Sequence, residues 1–346
     1  MGLEVKSLIP ELYRQYNDFL LSQQGALFYY AAKYKDFLVD LLQCEQDYLL
    51  AVDGEDIAGV LPLMAIAGKF GKVYNSLPFY GSNGGIIAGR TDALDALINE
   101  YNNRICQGNI ASATIIANPL IEQDYSRLKY DLTDERIGQF TSLELYHPEE
   151  EILARIDPTA RRNVKKALKS GVKVEIDNNQ IDFLRRVHQE NMLSMGGRAK
   201  SDTFFSLIEK HFVPGEDYNI YLAKMDSKPI AALLLFYFNR TVEYWIPATV
   251  HDYRTYQPMA LITLQAMVDA CQKGFLLWNW GGTWLTQDGV YRFKKKWTTM
   301  EKRYTYYIKI NNQELYHISG EALLEEYGNF FVIPFSALRK TGGKNE

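Results

Sequence analysis

Residues 48–61 read YLLAVDGEDIAGVL, and residues 221–234 read YLAKMDSKPIAALL. At a constant offset of 173 positions, Tyr48 meets Tyr221, Leu49 meets Leu222, Asp53 meets Asp226, Ile57 meets Ile230 and Ala58 meets Ala231. Each segment is two apolar runs around a polar turn, Asp53-Gly54-Glu55-Asp56 in one and Asp226-Ser227-Lys228-Pro229 in the other. That is the pattern of a β-hairpin. Gly54 can supply a positive φ, and Pro229 opens the second return strand, where a missing N–H is tolerated.

The neighbourhoods correspond as well. Helical patterns precede the hairpins, at 26–44 and at 181–211, the latter broken at Met195-Gly196-Gly197. After each hairpin come an extended segment, a helix and a second extended segment. In the first half these are 73–77, 91–107 and 111–116; in the second they are 242–246, 258–273 and 275–280. Gly108 and Gly274 stand where a left-handed residue ends a helix. The order helix, hairpin, strand, helix, strand thus occurs twice, which reads as a duplicated α/β fold. The join falls near 145–160, so the expected domains are 1–148 and 149–346. There Asp157 suits an N-cap and Pro158 the first helical position. The helix they open stops at Gly171, and residues 172–176 alternate as a half-buried strand.

A chain of 346 residues with 47% apolar and 23% charged residues has the composition of a folded two-domain protein, not of a disordered or collagen-like one. A net charge of −4 gives no overall basic field to draw it onto DNA. Cys44, Cys106 and Cys271 lie far apart, with no C-x-x-C spacing, which suits a reducing cytoplasm and no structural zinc. The longest apolar run, Ile230–Phe238, is far short of the ~20 residues that span a bilayer. The N-terminus lacks a signal-peptide pattern. A cytoplasmic protein without a transmembrane segment is expected, with peripheral membrane contact left open. Phosphate-loop, nucleophile-elbow, dinucleotide and H-E-x-x-H motifs are all missing, so no bound cofactor or metal is expected.

Four segments carry more specific information: YNSLPFYGSNGGII at 74–87, DPTARRNVKKALKSGVKV at 157–174, TYQPMALITLQAMVDACQKG at 255–274 and WNWGGTWLTQDGVYRFKKKW at 278–297. They resemble the FemABX family, in which two GNAT-like acyltransferase domains are fused. The last is the most specific: a short strand ends in an aromatic-Gly-Gly turn, then a Gly and Phe-Lys-x-x-aromatic follow. The resemblance implies an α/β (α+β) chain of two tandem GNAT-like domains, each a mixed twisted sheet flanked by helices. It also implies an acyl- or aminoacyltransferase acting on an amine of a cell-envelope precursor, a peptidoglycan peptide or a nucleotide-linked amino sugar. The donor substrate would be aminoacyl-tRNA or, as in other relatives, acyl-CoA. A GNAT-fold protein that binds such a precursor without turning it over is the alternative.

Candidate site residues follow. The family's Phe-Lys pair is implicated in catalysis and maps onto Phe293 and Lys294; a fixed cation stabilises the oxyanion of acyl transfer. Arg161, Arg162, Lys165, Lys166 and Lys169 share one helix, with Arg161, Lys165 and Lys169 on one face. Such a stripe is either a solvated surface or a seat for phosphates or RNA, with Arg161 and Arg162 nearest the helix N-terminus. Asn75, Tyr80 and Asn83 flank a glycine-rich turn that could approach a sugar or peptide. Glu243, on the strand 242–246, is the candidate base, in competition with His251, Asp252 and Tyr253. Trp280 ends a strand beside Gly281-Gly282, among Trp278 and Trp284. The acceptor is expected in a cleft between the halves, near Asn75, Tyr80, Arg161 and Tyr256. Acyl-CoA-using GNAT domains carry a glycine-rich pyrophosphate loop where this chain reads Arg254-Thr255-Tyr256-Gln257-Pro258-Met259-Ala260. Its glycines are missing and Pro258 removes an N–H, which weighs against an acyl-CoA donor. No sustained heptads mark a coiled-coil arm.

Overall fold

The computed structural model describes residues 2–79, 83–144, 148–283 and 288–339. The chain divides into two compact units, 1–136 with 303–346, and 137–302.

The first unit begins β1 (Glu4–Ser7), α1 (Tyr13–Ser22), α2 (Ala32–Leu42), β2 (Glu45–Gln46), β3 (Leu49–Asp53) and β4 (Asp56–Leu61). It continues β5 (Met64–Gly68), β6 (Gly71–Asn75), β7 (Ile87–Ala88), α3 (Thr91–Ile105) and β8 (Ile110–Ile116). The expected hairpin is present: β3 and β4 pair antiparallel from Leu49 opposite Leu61 to Asp53 opposite Asp56, with Gly54 at φ +66°. These strands belong to a four-stranded sheet in the order β1-β3-β4-β7. Pro62 follows β4, and the chain leaves that sheet. Where the sequence suggested one extended segment, the chain builds a second hairpin, β5 with β6, and β6 runs parallel to β8. Leu94, Leu97, Ile98 and Tyr101 of α3 pack with Leu49, Leu61 and Ile115, an apolar stripe at helical spacing.

The second unit starts within β9 (Leu132–Ser142) and runs α4 (Pro148–Arg155), α5 (Pro158–Lys169), β10 (Lys173–Ile176), α6 (Ile181–Ser194) and α7 (Asp202–His211). Then come β11 (Tyr218–Met225), β12 (Lys228–Phe238), β13 (Thr241–Thr249), α8 (Pro258–Gln272), β14 (Leu277–Thr283) and α9 (Asp288–Lys295). Its strands lie in the order β10-β11-β12-β13-β14-β9. All neighbours are antiparallel except β13 and β14. In the β11–β12 turn Asp226 and Ser227 take φ 49° and 65°. Ser227 is the position that matches Gly54 in the repeat, so the two turns share a left-handed residue although only one is glycine. The α5 ends are as expected: Asp157 Oδ1 accepts the Thr159 N–H at 2.7 Å, and Gly171 sits at φ +76°. Helix α8 is buried on nearly every side, from Ala260 to Ala270, and packs on β11, β12, α4 and α5. A helix apolar all round belongs in a core.

The chain then returns through β15 (Met300–Ile310) and α10 (Gly320–Glu326). From Arg303 onward it belongs to the first unit, where β15 pairs antiparallel with β8, Tyr306 opposite Ile116. The division of the chain therefore differs from the sequence boundary, which placed 303–346 with the second half. Tyr304, Tyr306, Ile308 and Ile310 alternate as a half-buried strand, but alternation does not name a partner. Side chains fix the segment beyond it. Tyr327 Oη donates to the Gly71 carbonyl at 2.8 Å and accepts the Phe70 N–H at 3.0 Å. Asn75 accepts the Phe331 N–H at 2.7 Å and donates to the Phe331 carbonyl at 2.8 Å. Among the described residues no helix is long and apolar enough to cross a membrane.

Replacing Asn75 by Ala leaves two part-buried backbone groups of Phe331 without their side-chain partner, so stability should fall by about 1–3 kcal/mol. Urea unfolding measures the loss, and hydrogen exchange should show residues 327–333 opening first. Unchanged stability with lost ligand affinity would instead make Asn75 a binding residue.

Candidate active site

The site is built where β13 and β14 part. The parallel ladder holds only from Thr241 opposite Leu277 to Glu243 opposite Asn279. Beyond it β13 stays paired with β12 as far as Thr249, through a bulge at Trp245 between the Leu234–Ile246 and Leu235–Tyr244 pairs. β14 turns with β9, skipping Trp280 and Gly281 in the register before Gly282 meets Gly138. Gly281 takes φ +74°, and its N–H donates to Asn279 Oδ1 at 2.8 Å. The left-handed region there explains the glycine. The result is a wedge whose walls are one edge of β13 and the end of β14.

Helix α9 carries Phe293 and Lys294 to this wedge. Lys294 is 6% exposed, and its Nζ donates to the Gly282 carbonyl at 3.1 Å. Burial lowers its ammonium to about 8, because desolvation disfavours the charged form. Phe293 meets Trp280 edge to face at 6.1 Å. Trp280 also packs on Tyr244 at 4.9 Å, Trp278 at 5.6 Å and Trp297 at 6.1 Å. Trp280 was a candidate for contact with substrate; its indole is 2% exposed and donates to Thr141 Oγ1 at 2.9 Å. It is part of the aromatic core, not an open platform.

The other candidates in this unit are spread over three elements. Glu243 is 1% exposed on β13, opposite Phe236 on β12 and Asn279 on β14. Its rivals His251 and Asp252 are exposed and face each other at 3.5 Å. Tyr256 ends the short 3-10 helix His251–Tyr256, half-buried, its ring 6.0 Å from Tyr253. Gln257 follows at φ 61° and Pro258 starts α8. On α5, Arg161 is half-buried and donates to the Ile156 carbonyl at 3.2 Å, whereas Arg162, Lys165, Lys166 and Lys169 are exposed. None of these five cations forms an ion pair among the described residues, although Arg155 and Arg185, on α4 and α6, both do. In the first unit, Asn75 spends its amide on Phe331, and Asn83 is 4% exposed beside the Ala117 carbonyl. Tyr80 and Trp284 lie outside the described residues.

Residues 157–295 match the family model described as "Acetyltransferase (GNAT) domain". That stretch lies within the second unit, which has the GNAT fold. The chain has the fold of FemX, with a TM-score of 0.70 at 13% identity over 90% of this chain and 98% of that one. It is also similar to the C-terminal domain of a putative lysylphosphatidylglycerol synthetase from Agrobacterium fabrum, with a TM-score of 0.60 at 11% identity over 92% and 98%. A tandem GNAT protein from the clavulanic acid pathway aligns with a TM-score of 0.50 at 11% identity over 89% and 98%. No curated protein sequence matches the chain. The architecture is therefore that of the GNAT acyltransferase fold, an α/β chain with a mixed twisted sheet folded like FemX.

The GNAT domain holds one group that pattern reading missed. Lys200, between α6 and α7, lies half-buried with Nζ 4.8 Å from the Phe204 ring centre and 6.0 Å from that of Trp245. Burial brings its ammonium down to about 7. His188 on α6 accepts the Lys200 N–H at 3.4 Å, and burial, with the Lys200 charge second, holds its imidazole down to about 4. Asn191 ties this region down: it donates to the Thr249 carbonyl at 3.0 Å and accepts from Arg254 at 2.8 Å. A lysine three residues after a Gly-Gly pair carries no signal in a single sequence. Only the fold brings Phe204 and Trp245 over it.

These pKa shifts set a sign. The folded values of Lys200 and Lys294 lie below the ordinary lysine value of 10.5, so above about pH 7 the unfolded chain binds more protons than the folded one. Stability should rise from pH 7 to about pH 9.5, before the tyrosines titrate. Urea midpoints across that range check it. The rise should shrink in Lys200→Met, and an unchanged slope would mean that Lys200 is solvated.

Proposed function

We propose that the chain is an acyltransferase that moves an aminoacyl or acyl group onto an amine of a cell-envelope precursor. The observation that carries this reading is the burial of Lys294 against Gly282 at the mouth of the wedge in a GNAT domain. An acceptor amine attacks the ester carbonyl of the donor. The new C–N bond forms, the C–O bond to the donor breaks, and the amine's proton ends on the leaving oxygen. Lys294, charged below about pH 8, would stand beside the oxyanion and could hand its proton to the leaving group. Glu243, buried on β13, would take the proton of the acceptor. Beyond Glu243 the ladder between β13 and β14 ends among the described residues, and that edge of β13 would face an extended donor arm.

For the donor, aminoacyl-tRNA is the better supported. Five cations on α5 have no carboxylate partner among the described residues, and like charges three and four apart repel. A polyanion relieves that repulsion. The turn into α8 begins with Gln257 and Pro258, with no glycine-rich phosphate cradle. Aminoacyl-tRNA and acyl-CoA are both cytoplasmic pools, so the workplace proposed is the cytoplasm. The resemblance to FemABX proteins supports a peptidoglycan peptide or nucleotide-linked amino sugar as acceptor.

Transfer of a radiolabelled amino acid from charged tRNA to a UDP-linked peptidoglycan precursor tests this directly. Lys294→Ala should cut turnover by ~100-fold or more while the chain stays folded. Activity of the unmodified chain should fall as pH passes about 8, and Lys294→Arg should move that limb upward. Affinity for tRNA should fall steeply with salt, less so in an Arg162→Glu, Lys166→Glu variant. Thermal stabilisation by CoA alone would replace tRNA by acyl-CoA. Binding of the precursor with no transfer from either donor would leave a binding protein.

A further inference from the structure

The glycine turn at the end of β14 is held by two polar side chains, one from before it in the sequence and one from after. Asn279 is the last residue of β14 in the ladder with β13, directly opposite Glu243. Its Oδ1 accepts the Gly281 N–H at 2.8 Å. Only the oxygen of an amide can accept that bond, so the other end of the side chain is the NH2 donor. The bond reaches forward along the chain, over the two residues that drop out of the β9 register. The amide therefore lies where β14 leaves β13. The next glycine, Gly282, accepts from Lys294 Nζ at 3.1 Å through its carbonyl. Asn279 and Lys294 thus grip consecutive residues of one turn.

Two further observations point to a ligand there. Asn279 is 1% exposed, and its Nδ2 is buried without a hydrogen-bond partner among the described residues. An unmade buried bond costs about 1–3 kcal/mol, and so calls for an explanation. There is also room beside it. A Cβ built on Gly281 would have nothing within 4 Å. The turn passes from half-buried Gly281 to exposed Gly282, and neither has a side chain to block an approach. A neutral N–H beside an ammonium suits an oxygen that arrives uncharged and gains negative charge as bonds change, which is what a carbonyl does under attack.

We propose that Asn279 is a catalytic residue, its Nδ2–H donating to the carbonyl oxygen of the acyl group being transferred. This rests on the acyltransferase reading. As the acceptor amine attacks, the C–N bond forms and the carbonyl π pair moves onto oxygen, where Asn279 and Lys294 hold it. The pair returns as the bond to the donor breaks, and Asn279 neither gains nor loses a proton.

The test uses stable donor analogues in pairs that differ at that carbonyl. One pair is 3′-alanylamino-3′-deoxyadenosine and its thioamide, whose sulfur is a weak acceptor. The other is S-acetonyl-CoA and S-propyl-CoA. Calorimetry on the full chain should show one pair binding, its carbonyl member roughly three- to tenfold more tightly. In Asn279→Asp, which keeps an oxygen for Gly281, or in Asn279→Ala should the first fold poorly, that preference should shrink by a similar factor, while affinity for the thioamide or propyl member holds. In the transfer assay kcat should fall by ~100-fold with KM nearly unchanged, as expected for a bond made chiefly in the transition state. A rise in KM alone would mean that Asn279 only shapes the turn, and would overturn the catalytic role. Transfer by the unmodified chain with no carbonyl preference, or with a preference that the folded variants retain, overturns Asn279 and leaves the acyltransferase reading standing. Absence of both binding and transfer overturns the two together. A preference lost in the variants without any transfer would keep the contact and overturn its part in catalysis.

Discussion

The hydroxyl of Thr141 joins three segments of the second unit. It accepts the Trp280 indole N–H at 2.9 Å and donates to the Trp297 carbonyl at 2.8 Å. Both bonds are buried, where an unmade bond costs more than a made one gains. Through them β9, β14 and the residues after α9 hold one another in place. Helix α9 needs this. It has eight residues and a cluster of basic groups in its last turn, and so short a helix does not persist alone. Phe293 and Trp297 attach it to the ring of Trp280, which itself packs on Trp278 and Tyr244. Lys294 lies between those two anchors in sequence, so it is drawn into a poorly solvated position that a free helix would not give it. The lowered pKa of its ammonium is a consequence of aromatic packing.

Charge is distributed unevenly over the two units. Arg90 pairs with Asp53 and Asp92, Arg104 with Asp47 and Glu100, Arg127 with Asp95, and Arg185 with Asp182 and Asp202. Each exposed pair is worth little alone, but the contrast with α5 is informative. That helix carries five cations with no ion pair among the described residues. It is held by its Asp157 cap and by Ala160, Val164 and Ala167 on its inner face. Its outer face opposes helix formation by a few tenths of a kcal/mol per like-charged pair. Helix propensity and solubility do not require such an arrangement, whereas an anionic partner does.

Much of the architecture was legible because it rests on local rules. The hairpin alternation, the Asp157-Pro158 start of α5, and the glycines at 108, 171 and 274, all at positive φ, each depend on a few adjacent residues. What failed to show depended on distant ones. Asn75 looked like a ligand group beside a glycine-rich turn, but Phe331 occupies its amide from 256 positions away. Trp280 looked like a platform because a strand end is often exposed; Thr141 and four aromatic rings close over it. The strand Met64–Gly68 has only a short apolar run and takes its meaning from β6. The partner of β15 is chosen by a sheet assembled early in the chain, so no window around 303–310 contains it. Lys200 is the clearest case, since its environment comes from α7 and from the bulge in β13.

That bulge connects the two unusual amines of the GNAT domain. Consecutive residues of β13 serve different neighbours: Tyr244 packs on Trp278 and Trp280, while Trp245 packs on Phe204 and Phe236. The first group supports Lys294, and the second encloses Lys200. Phe236 is also the ladder partner of Glu243. A register shift at Trp245 therefore lets one strand set the surroundings of a buried amine, a half-buried amine and a buried carboxylate within three residues. The two amines come out near 8 and near 7: at neutral pH the first is mainly charged and the second is divided between its forms. Burial against aromatic rings is the physical means by which this chain lowers both.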